Sequence, residues 1–271
     1  MSVNLSEFKQ NGFVLVKGLF SGDEIHHVLS DVKQVFITQL LKLKLLTSDS
    51  PEEQKFEAVL FELFKVDQAR FVNCAKQAQH LISLHRLSLD VRIEKVLKQL
   101  GLAFPNISTR PVLFMNSPHL AEKEIYWRTF PHQDWRSMQG SLDAVVVWVP
   151  LVDVPAPLGA LEIVPESHKR GLLAPELIDG FGKVDQFNDE DFVPVEVNRG
   201  DALFFNAFMV HRSGTNQTQS IRWACHFRYN NLAEESFVER GYPHPYVYRP
   251  QEALITPEFP PLEMIDKMFS K

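Results

Sequence analysis

The spacing of apolar residues along the chain changes near residue 105. Before that point apolar residues recur every three or four positions, as they do from Ile25 through Val32 to Leu40, which is the period of one face of a helix. The segment Ser21-Gly-Asp-Glu24 has the form of a capping box and predicts where that helix begins. Residues 1–105 are therefore predicted to be a helix-rich support.

Further helices are predicted in the same region. Ser50-Pro-Glu-Glu53 combines a capping serine, a proline at the first helical position and a glutamate three residues after the cap. Helical spacing also covers about 67–81 and 88–99, and the stretch Gly12–Lys17 has the pattern of a short strand. We expect these helices to pack on a sheet.

After residue 105 the apolar runs are short and are separated by glycine, proline and asparagine, which is typical of a β-sandwich or jelly roll. The predicted strands are Leu142–Val152, Ala160–Val164, Val193–Val197, Ala202–Phe205 and Ile221–Tyr229. Two connections, about 114–131 and 166–192, are longer than usual loops and are candidate lids.

The last predicted strand alternates between two kinds of side chain. Arg222, His226 and Arg228 share one face, and the residues between them, from Ile221 to Tyr229, are apolar. The apolar face must pack on neighbouring elements. The polar face either meets bulk solvent or lines a cavity inside a barrel.

Composition narrows the classes of protein. The chain has 271 residues, of which 45% are hydrophobic and 23% charged, as in an ordinary globular enzyme. A net charge of −6 offers no basic surface for nucleic acid, and no apolar run or leader pattern predicts a membrane segment or secretion. Cys74 and Cys225 fit no zinc spacing and are too few for a disulfide framework, so we expect a cytoplasmic protein with reduced thiols.

His132-Gln-Asp134, followed far downstream by His211, carries candidate metal chemistry. Two imidazoles and a carboxylate leave half of an octahedral coordination sphere open, which is how proteins hold non-haem Fe(II). In an extended strand the first and third residues share a face, so His132 and Asp134 could reach one ion while Gln133 points away. His211 would then come from a second strand. The motif alone is weak, because ten histidines produce such pairs by chance.

The segments around this motif resemble the phytanoyl-CoA dioxygenase family of Fe(II)- and 2-oxoglutarate-dependent oxygenases. The segments that carry the resemblance are His132–Trp135, Gly159–His168, Gly200–Phe205, His211–Arg222 and the opening stretch Phe8–Phe20. The resemblance implies a mostly β fold with flanking helices, in which a double-stranded β-helix (a cupin-like jelly roll) forms the core. It also implies one domain over 1–271, with the core at about 106–232, packed by the N-terminal helices and followed by a loop-rich segment, 233–271.

Carried over by position, the resemblance implies that His132, Asp134 and His211 bind Fe(II). It implies that Arg222 binds the far carboxylate of 2-oxoglutarate, which suits the planar fork of guanidinium donors. The resemblance also places the hydroxyl of Ser213 near that carboxylate and the ring of Trp148 against the co-substrate. The alternative roles for those two residues are a turn hydroxyl and a core aromatic.

The activity that the resemblance implies is hydroxylation of a small-molecule substrate by O2, with release of succinate and CO2. Members that halogenate have a small residue in place of the carboxylate, so Asp134 favours hydroxylation. The alternative is a cupin-like module that binds Zn or Ni without redox turnover. A degenerate family member that acts as a scaffold is a third possibility. Arg222 argues against the metal-binding module, and the intact ligand set argues against the scaffold.

The substrate is the least determined feature. Arg136, Gln139, His226 and Arg228 are candidate substrate-binding residues, and they favour a small polar or anionic metabolite over a long acyl-CoA. Glu166-Ser-His168 is interpreted as a structural turn, although its spacing could suggest a second metal site. His244, between two prolines, predicts a rigid loop near the pocket mouth. The oligomeric state stays open.

Overall fold

The structure is a computed structural model that describes residues 3–121, 128–178, 181–239 and residue 263. The helices are α1 Leu5–Asn11, α2 Gly22–Lys42, α3 Glu53–Val66, α4 Gln68–Ala78, α5 Ile82–Ser88, α6 Val91–Gln99, α7 Trp135–Met138 and α8 Glu235–Glu239. The strands are β1 Phe13–Val16, β2 Pro105–Ile107, β3 Val112–Asn116, β4 Val145–Pro150, β5 Leu161–Ile163, β6 Glu176–Ile178, β7 Phe181–Lys183, β8 Val193–Val195, β9 Ala202–Asn206, β10 His211–Ser213 and β11 Arg222–Asn231. None of the described helices combines the length and the apolar character that crossing a bilayer requires.

Two antiparallel sheets form the core and confirm the predicted jelly roll. The larger sheet has the order β1-β9-β4-β11-β2, and β3 also pairs with β11. The smaller sheet has the order β10-β5-β8. Apolar side chains from both sheets pack together between them, including Trp148 of β4, Phe205 of β9 and Ile163 of β5. Because successive strand residues alternate in direction, the same strands can also present polar groups to a space between the sheets.

The helical layer covers the outer face of the larger sheet. Trp223, Cys225 and Phe227 of β11 join the apolar cluster that contains the buried face of α2. The rings of Phe36 and Trp223 meet edge to face with their centroids 6.2 Å apart. The apolar face of the last strand therefore packs on a neighbouring element, here the helical layer, as the sequence predicted.

The helix boundaries confirm some predictions and correct others. The capping box is present: the hydroxyl of Ser21 accepts the N–H of Glu24 at 3.2 Å, and the Glu24 carboxylate accepts the N–H of Ser21 at 2.8 Å. The predicted start at Ser50 is wrong, since α3 begins at Glu53 and the Ser50 hydroxyl instead donates to Asp49 at 3.3 Å. The helix α5, between the two predicted at about 67–81 and 88–99, was not anticipated.

Strand β1 shows that the N-terminal region is more than a helical support. It pairs with β9, with Phe13 opposite Phe205, and so completes the larger sheet. The predicted long connections also contain regular structure, because β3 occupies the start of the first and the β6–β7 hairpin lies inside the second. Short apolar segments of three to five residues carry too little periodicity to be recognised in sequence.

Candidate active site

The structure brings the three predicted metal ligands together. One ligand atom from each of His132, Asp134 and His211 lies within 4.8 Å of the others. The Nε2 atoms of His132 and His211 are 4.0 and 3.9 Å from the two carboxylate oxygens of Asp134. The backbones of the two histidines exchange N–H···O bonds of 3.0 and 3.1 Å, which form an isolated β-bridge. This bridge places the distal histidine beside the first.

The backbone at Asp134 corrects the strand argument for the His-x-Asp motif. Asp134 has φ −66° and ψ −29° and stands at the start of α7, so it is helical rather than extended. The two side chains therefore converge because the chain turns from a β-bridge into a helix. Gln133 does point away, since its amide donates to the carbonyls of Gly171 and Phe208 at 2.8 and 2.7 Å.

Both histidines are held in the form that binds a metal. The Nδ1 atom of His132 is 2.7 Å from the carbonyl of Phe130, and that of His211 is 3.0 Å from the carbonyl of Met209. A carbonyl can only accept, so each Nδ1 carries the proton and each Nε2 presents a lone pair to the cluster. Burial lowers the pKa of His132 to about 3 and also lowers the pKa of His211, which keeps both rings neutral.

Asp134 supplies the negative charge of the cluster. Burial alone would raise the pKa of its carboxyl, but the positive charge of Arg228 and its hydrogen bond outweigh burial and hold the pKa below its usual range. The Nη2 of Arg228 donates to Oδ1 at 2.8 Å, whereas Oδ2 is buried without a hydrogen-bond partner among the described residues. An orphaned carboxylate oxygen beside two imidazole lone pairs fits a divalent cation.

Arg228 is expected to tune the affinity of the site for metal. Replacing Arg228 by methionine removes the donor that orients Asp134, and we expect binding of Ni(II) to the metal-free protein to weaken by about 10- to 100-fold. Calorimetric titration measures the change. Arg170→Met is the control, because Arg170 stacks on Phe187, and neither residue lines the cavity at the cluster. Equal affinity in the Arg228 variant and the wild type would contradict this role.

Arg222 lies at the other end of the same cavity. Its side chain is 1% exposed, donates to the carbonyl of Gly159 and lies 3.4 Å from the hydroxyl of Ser213. Among the described residues its Nε has no hydrogen-bond partner, and no carboxylate forms an ion pair with it. Burial lowers the pKa of the guanidinium to about 9, which still leaves it charged near neutral pH. A buried, uncompensated cation fits the carboxylate of a bound ligand.

Gly159 and Ser213 shape the surroundings of Arg222. Gly159 has φ +80°, and a Cβ there would lie 2.8 Å from the carbonyl oxygen of Gly214, so a side chain would force two loops apart. The carbonyl that Arg222 uses depends on that close approach. Ser213 is buried, and its hydroxyl lies 3.0 Å from that of Thr129. The pair forms a polar edge beside the guanidinium.

Trp148 is placed differently from the family expectation. It is fully buried on β4 within the apolar cluster between the sheets, and it does not line the cavity. The centre of the Arg222 guanidinium lies 5.7 Å from the centroid of its ring. Trp148 therefore contacts Arg222 from the apolar core by a cation–π interaction, which combines the core role with an indirect one at the pocket.

A cavity of about 410 Å³ joins the metal ligands to Arg222. Arg222, His226 and Arg228, on the polar face of β11, line this cavity. Of the two alternatives that the sequence left open, the polar face therefore lines a cavity rather than meeting bulk solvent. Both ring nitrogens of His226 are buried without a hydrogen-bond partner in the described structure, and burial lowers its pKa to about 3. Arg136 lines the cavity from α7 and remains exposed to solvent.

Two other sequence candidates lie outside the cavity lining, and a third falls on residues that the structure does not describe. Gln139 is exposed, ends α7 with φ +49° and is not among the residues that line the cavity. His168 is 3.1 Å from the carbonyl of Lys9, and the N–H of Glu166 donates to the carbonyl of Asn11 at 3.0 Å, so this turn docks on α1. The segment that contains His244 falls outside the described residues.

Two contacts of buried charged side chains, one in the cavity and one in the helical layer, were not anticipated from sequence. The first is the ion pair between Arg228 and Asp134, although the position of Arg228 on the polar face was a signal. The second is Glu57 of α3, which is buried and accepts the N–H of Ile221 at 2.9 Å. Burial raises the pKa of the Glu57 carboxyl. A glutamate between the apolar residues Phe56 and Ala58 was the available signal.

Fold and site together define a class: jelly-roll enzymes that hold a non-haem metal by two histidines and a carboxylate. The family model for phytanoyl-CoA dioxygenase (PhyH) matches residues 8–224. The chain belongs to the phytanoyl-CoA dioxygenase family, as the sequence motifs predicted.

Two relatives show the range of the family. The methylphosphonate hydroxylase of Gimesia maris is 41% identical over 86 residues, a match that covers 31% of this chain and 32% of that protein. This chain thus spans about a third of the length of that relative. The phytanoyl-CoA dioxygenase domain-containing protein 1 of Danio rerio is 24% identical over 260 residues, with 81% of this chain and 86% of that protein covered.

Solved structures share the fold at low identity. The epimerase SnoN in complex with Fe3+, alpha ketoglutarate and nogalamycin RO has a TM-score of 0.56 and 20% identity, over 84% of this chain and 82% of that one. EctD from S. alaskensis, with 2-oxoglutarate and 5-hydroxyectoine, has a TM-score of 0.52 and 17% identity, over 91% and 80% of the two chains. These similarities agree with the jelly roll described above.

Proposed function

We propose that this protein is an Fe(II)- and 2-oxoglutarate-dependent dioxygenase that hydroxylates a small molecule and releases succinate and CO2. The observation that carries the proposal is the buried guanidinium of Arg222, which has no anionic partner in the described chain and shares a cavity with the metal ligands. The bound iron supplies the oxidising chemistry with O2, and the protein supplies binding and orientation.

Each residue of the cavity has a defined part in this proposal. His132, Asp134 and His211 would hold the metal through one ligand atom each, and the metal would supply the redox chemistry with the co-substrate and O2. Arg222 receives the far carboxylate of 2-oxoglutarate, and the hydroxyl of Ser213 lies within reach of the same group. With the metal at one end and Arg222 at the other, the orientation of the co-substrate would not depend on the substrate.

The apolar lining of the cavity supports a role in C–H oxidation. Val112, Phe114 and Leu161 line the same space as the polar face of β11. Apolar walls exclude water from the reacting bond, which limits loss of the oxidant to solvent. A module that only stores or senses a metal gains nothing from a buried arginine beside such a wall, which makes the cupin-like alternative the weaker explanation.

The substrate proposed for this site is small. A volume of about 410 Å³ must hold both 2-oxoglutarate and the reacting part of the substrate, which favours a small molecule over a long acyl-CoA. The relative from Gimesia maris is a methylphosphonate hydroxylase, whereas a further relative, from Bos taurus, is a peroxisomal phytanoyl-CoA dioxygenase that is 24% identical over 243 residues. The size of the cavity favours the first kind of substrate, a small polar or anionic metabolite.

We also propose a reducing, cytoplasmic location and one catalytic domain that spans the chain. Cys74 and Cys225 are both free and buried, as is usual for thiols that have no disulfide role. Strand β1 completes the sheet that carries β11, so the N-terminal and central regions share one sheet. Expression as a truncated central region should therefore give unstable protein.

The direct test of the proposed activity uses metal-free protein without oxygen. Addition of Fe(II) and then 2-oxoglutarate should produce the visible charge-transfer band of a 2-oxo acid chelated to iron. Exposure to O2 should then release succinate in step with loss of 2-oxoglutarate. If Fe(II) binds and no band forms, 2-oxoglutarate has no part in the reaction and the non-oxidative metal-binding module becomes the better explanation.

A further inference from the structure

The charges that line the cavity assign a chemical class to its substrate. We infer that the substrate carries a small organic oxyanion, which Arg136 binds at the mouth of the cavity while His226 hydrogen-bonds it from the floor. The inference rests on the proposed function, because it assumes that a divalent metal and 2-oxoglutarate occupy the inner part of the same space.

The charge balance of the lining residues is the first argument. The lining carries three guanidinium groups, those of Arg136, Arg222 and Arg228, and one carboxylate, that of Asp134. A divalent metal and the dianion of 2-oxoglutarate cancel each other in charge. Once both are bound, two positive charges of the lining remain uncompensated, in a partly enclosed space where a net charge is unfavourable. An anionic substrate removes that excess and a neutral one does not.

Arg136 is the one guanidinium of the cavity lining for which neither the described part of the protein nor the co-substrate provides an anionic partner. Arg222 has the far carboxylate of the co-substrate as its expected partner, and Arg228 is bonded to Asp134. Within the described chain Arg136 has no ion pair and no hydrogen bond. It is therefore the guanidinium available to a substrate that enters from solvent, and its planar fork matches the oxygens of a carboxylate, phosphonate or sulfonate.

The backbone around Arg136 holds its side chain at the cavity mouth. Gly182 of β7 lines the cavity, and a Cβ there would lie 2.7 Å from both Cδ and Nε of Arg136. The missing side chain at Gly182 thus makes the space through which the arginine extends. Just after β7, the N–H of Val184 donates to the carbonyl of Pro131 at 2.8 Å, which ties the hairpin to the segment of the metal ligands.

His226 supplies the second argument. It lies between Arg222 and Arg228 on the polar face of β11, opposite Val112 of β3 in register, and it lines the cavity. Its two ring nitrogens are buried without a partner among the described residues. Buried polar atoms normally have partners, and an unpaired one weakens the structure until a ligand completes it. A neutral imidazole offers one N–H donor, which an oxyanion accepts.

The test measures binding of simple anions to the protein loaded with Ni(II), which is not oxidised in the assay, and saturating 2-oxoglutarate. Two pairs of probes differ almost only in charge: propanesulfonate with propanesulfonamide, and butyrate with butyramide. Titration calorimetry should show the anion of at least one pair binding about tenfold or more tighter than its neutral partner. If the sulfonate shows the larger preference over its neutral partner, the site favours a tetrahedral oxyanion; if the carboxylate does, the site favours a planar one.

Variants locate the binding. Arg136→Gln should weaken binding of the preferred anion about tenfold and leave the affinity for 2-oxoglutarate unchanged, whereas Arg136→Lys should restore part of the loss. His226→Phe should weaken the same anion by a smaller factor. Arg170→Gln, outside the cavity, is the matched control. Two results overturn the inference: neutral probes that bind as well as the anions or better, or anion binding that Arg136→Gln does not change.

The first step of this assay separates the inference from the proposed function. If 2-oxoglutarate fails to bind the Ni(II) protein, the proposed function fails before any probe is added. If 2-oxoglutarate binds and the two anions do not, the proposed function stands and the oxyanion inference is wrong.

Discussion

Replacing Arg222 by methionine is expected to weaken the binding of 2-oxoglutarate about a hundredfold and to leave the ligand-free protein at least as stable as the wild type. The two effects have one cause. Without ligand, the guanidinium is buried with no carboxylate partner in the described chain, so its charge opposes folding. Methionine has similar length and no charge, and it fits the contacts with Trp148 and Phe114.

The size of the binding loss follows from the hydrogen bonds that disappear. Two charge-assisted bonds to a buried carboxylate contribute roughly 3 kcal/mol, which corresponds to about a hundredfold increase in the Kd for 2-oxoglutarate. Calorimetric titration of the Ni(II) protein measures this Kd, and thermal unfolding measures the stability. Addition of 2-oxoglutarate should raise the Tm of the wild type and not that of the variant.

Arg212→Met is the matched control for this experiment. Arg212 is the neighbour of His211 on β10, but it pairs with Glu162 at 2.5 Å and stacks on Phe192, on the side away from the cavity. Its loss should lower stability and leave the Kd for 2-oxoglutarate unchanged. The two arginine variants should therefore show opposite patterns. An Arg222→Met protein that binds 2-oxoglutarate like the wild type would rule out the assigned role.

Replacing Asp134 by alanine is expected to weaken metal binding by more than about a hundredfold, because a charged ligand is lost rather than an outer contact. The same change should lower the free energy of unfolding. Asp134 accepts from Arg228 in the interior, and removal of one partner of a buried pair leaves the other charge uncompensated, at a cost of roughly 3 kcal/mol. Titration with Ni(II) and denaturant unfolding of the metal-free protein measure the two effects.

A double variant separates the two consequences of losing Asp134. Combining Asp134→Ala with Arg228→Met removes both charges, so stability should return most of the way while metal binding stays lost. His168→Ala is the control for loss of a hydrogen-bonded polar side chain outside the metal site, because His168 contacts the carbonyl of Lys9 on α1. It should leave the affinity for Ni(II) unchanged. Recovery of metal binding in the double variant would show that Asp134 is not a ligand.

The sequence predicted the arrangement of β11 because a strand translates residue parity directly into direction. Once Arg222, His226 and Arg228 were seen at even positions among apolar odd ones, two faces followed whatever the neighbouring strands were. The helical layer was predictable for a similar reason: α2 is long enough to show several turns of apolar spacing. The family motifs then identified which cavity the polar face would line.

Other parts of the site depend on contacts between distant segments, which spacing does not reveal. Whether Asp134 ends a strand or begins a helix depends on the bridge between His132 and His211. The position of Trp148 in the apolar core beside Arg222, rather than in the cavity lining, depends on how the two sheets pack. Gln139 was predicted to bind the substrate, but it ends α7 with a positive φ and does not line the cavity.

Strand β11 also constrains how the gene can change. Its even positions Arg222, His226 and Arg228 line the cavity, and its odd positions belong to the apolar core. Insertion or deletion of one codon within the strand would move every downstream residue to the opposite face. Charged groups would enter the helical interface while apolar ones entered the cavity. We expect length variation among related genes to fall in the loops on either side of β11 and to be excluded from the strand itself.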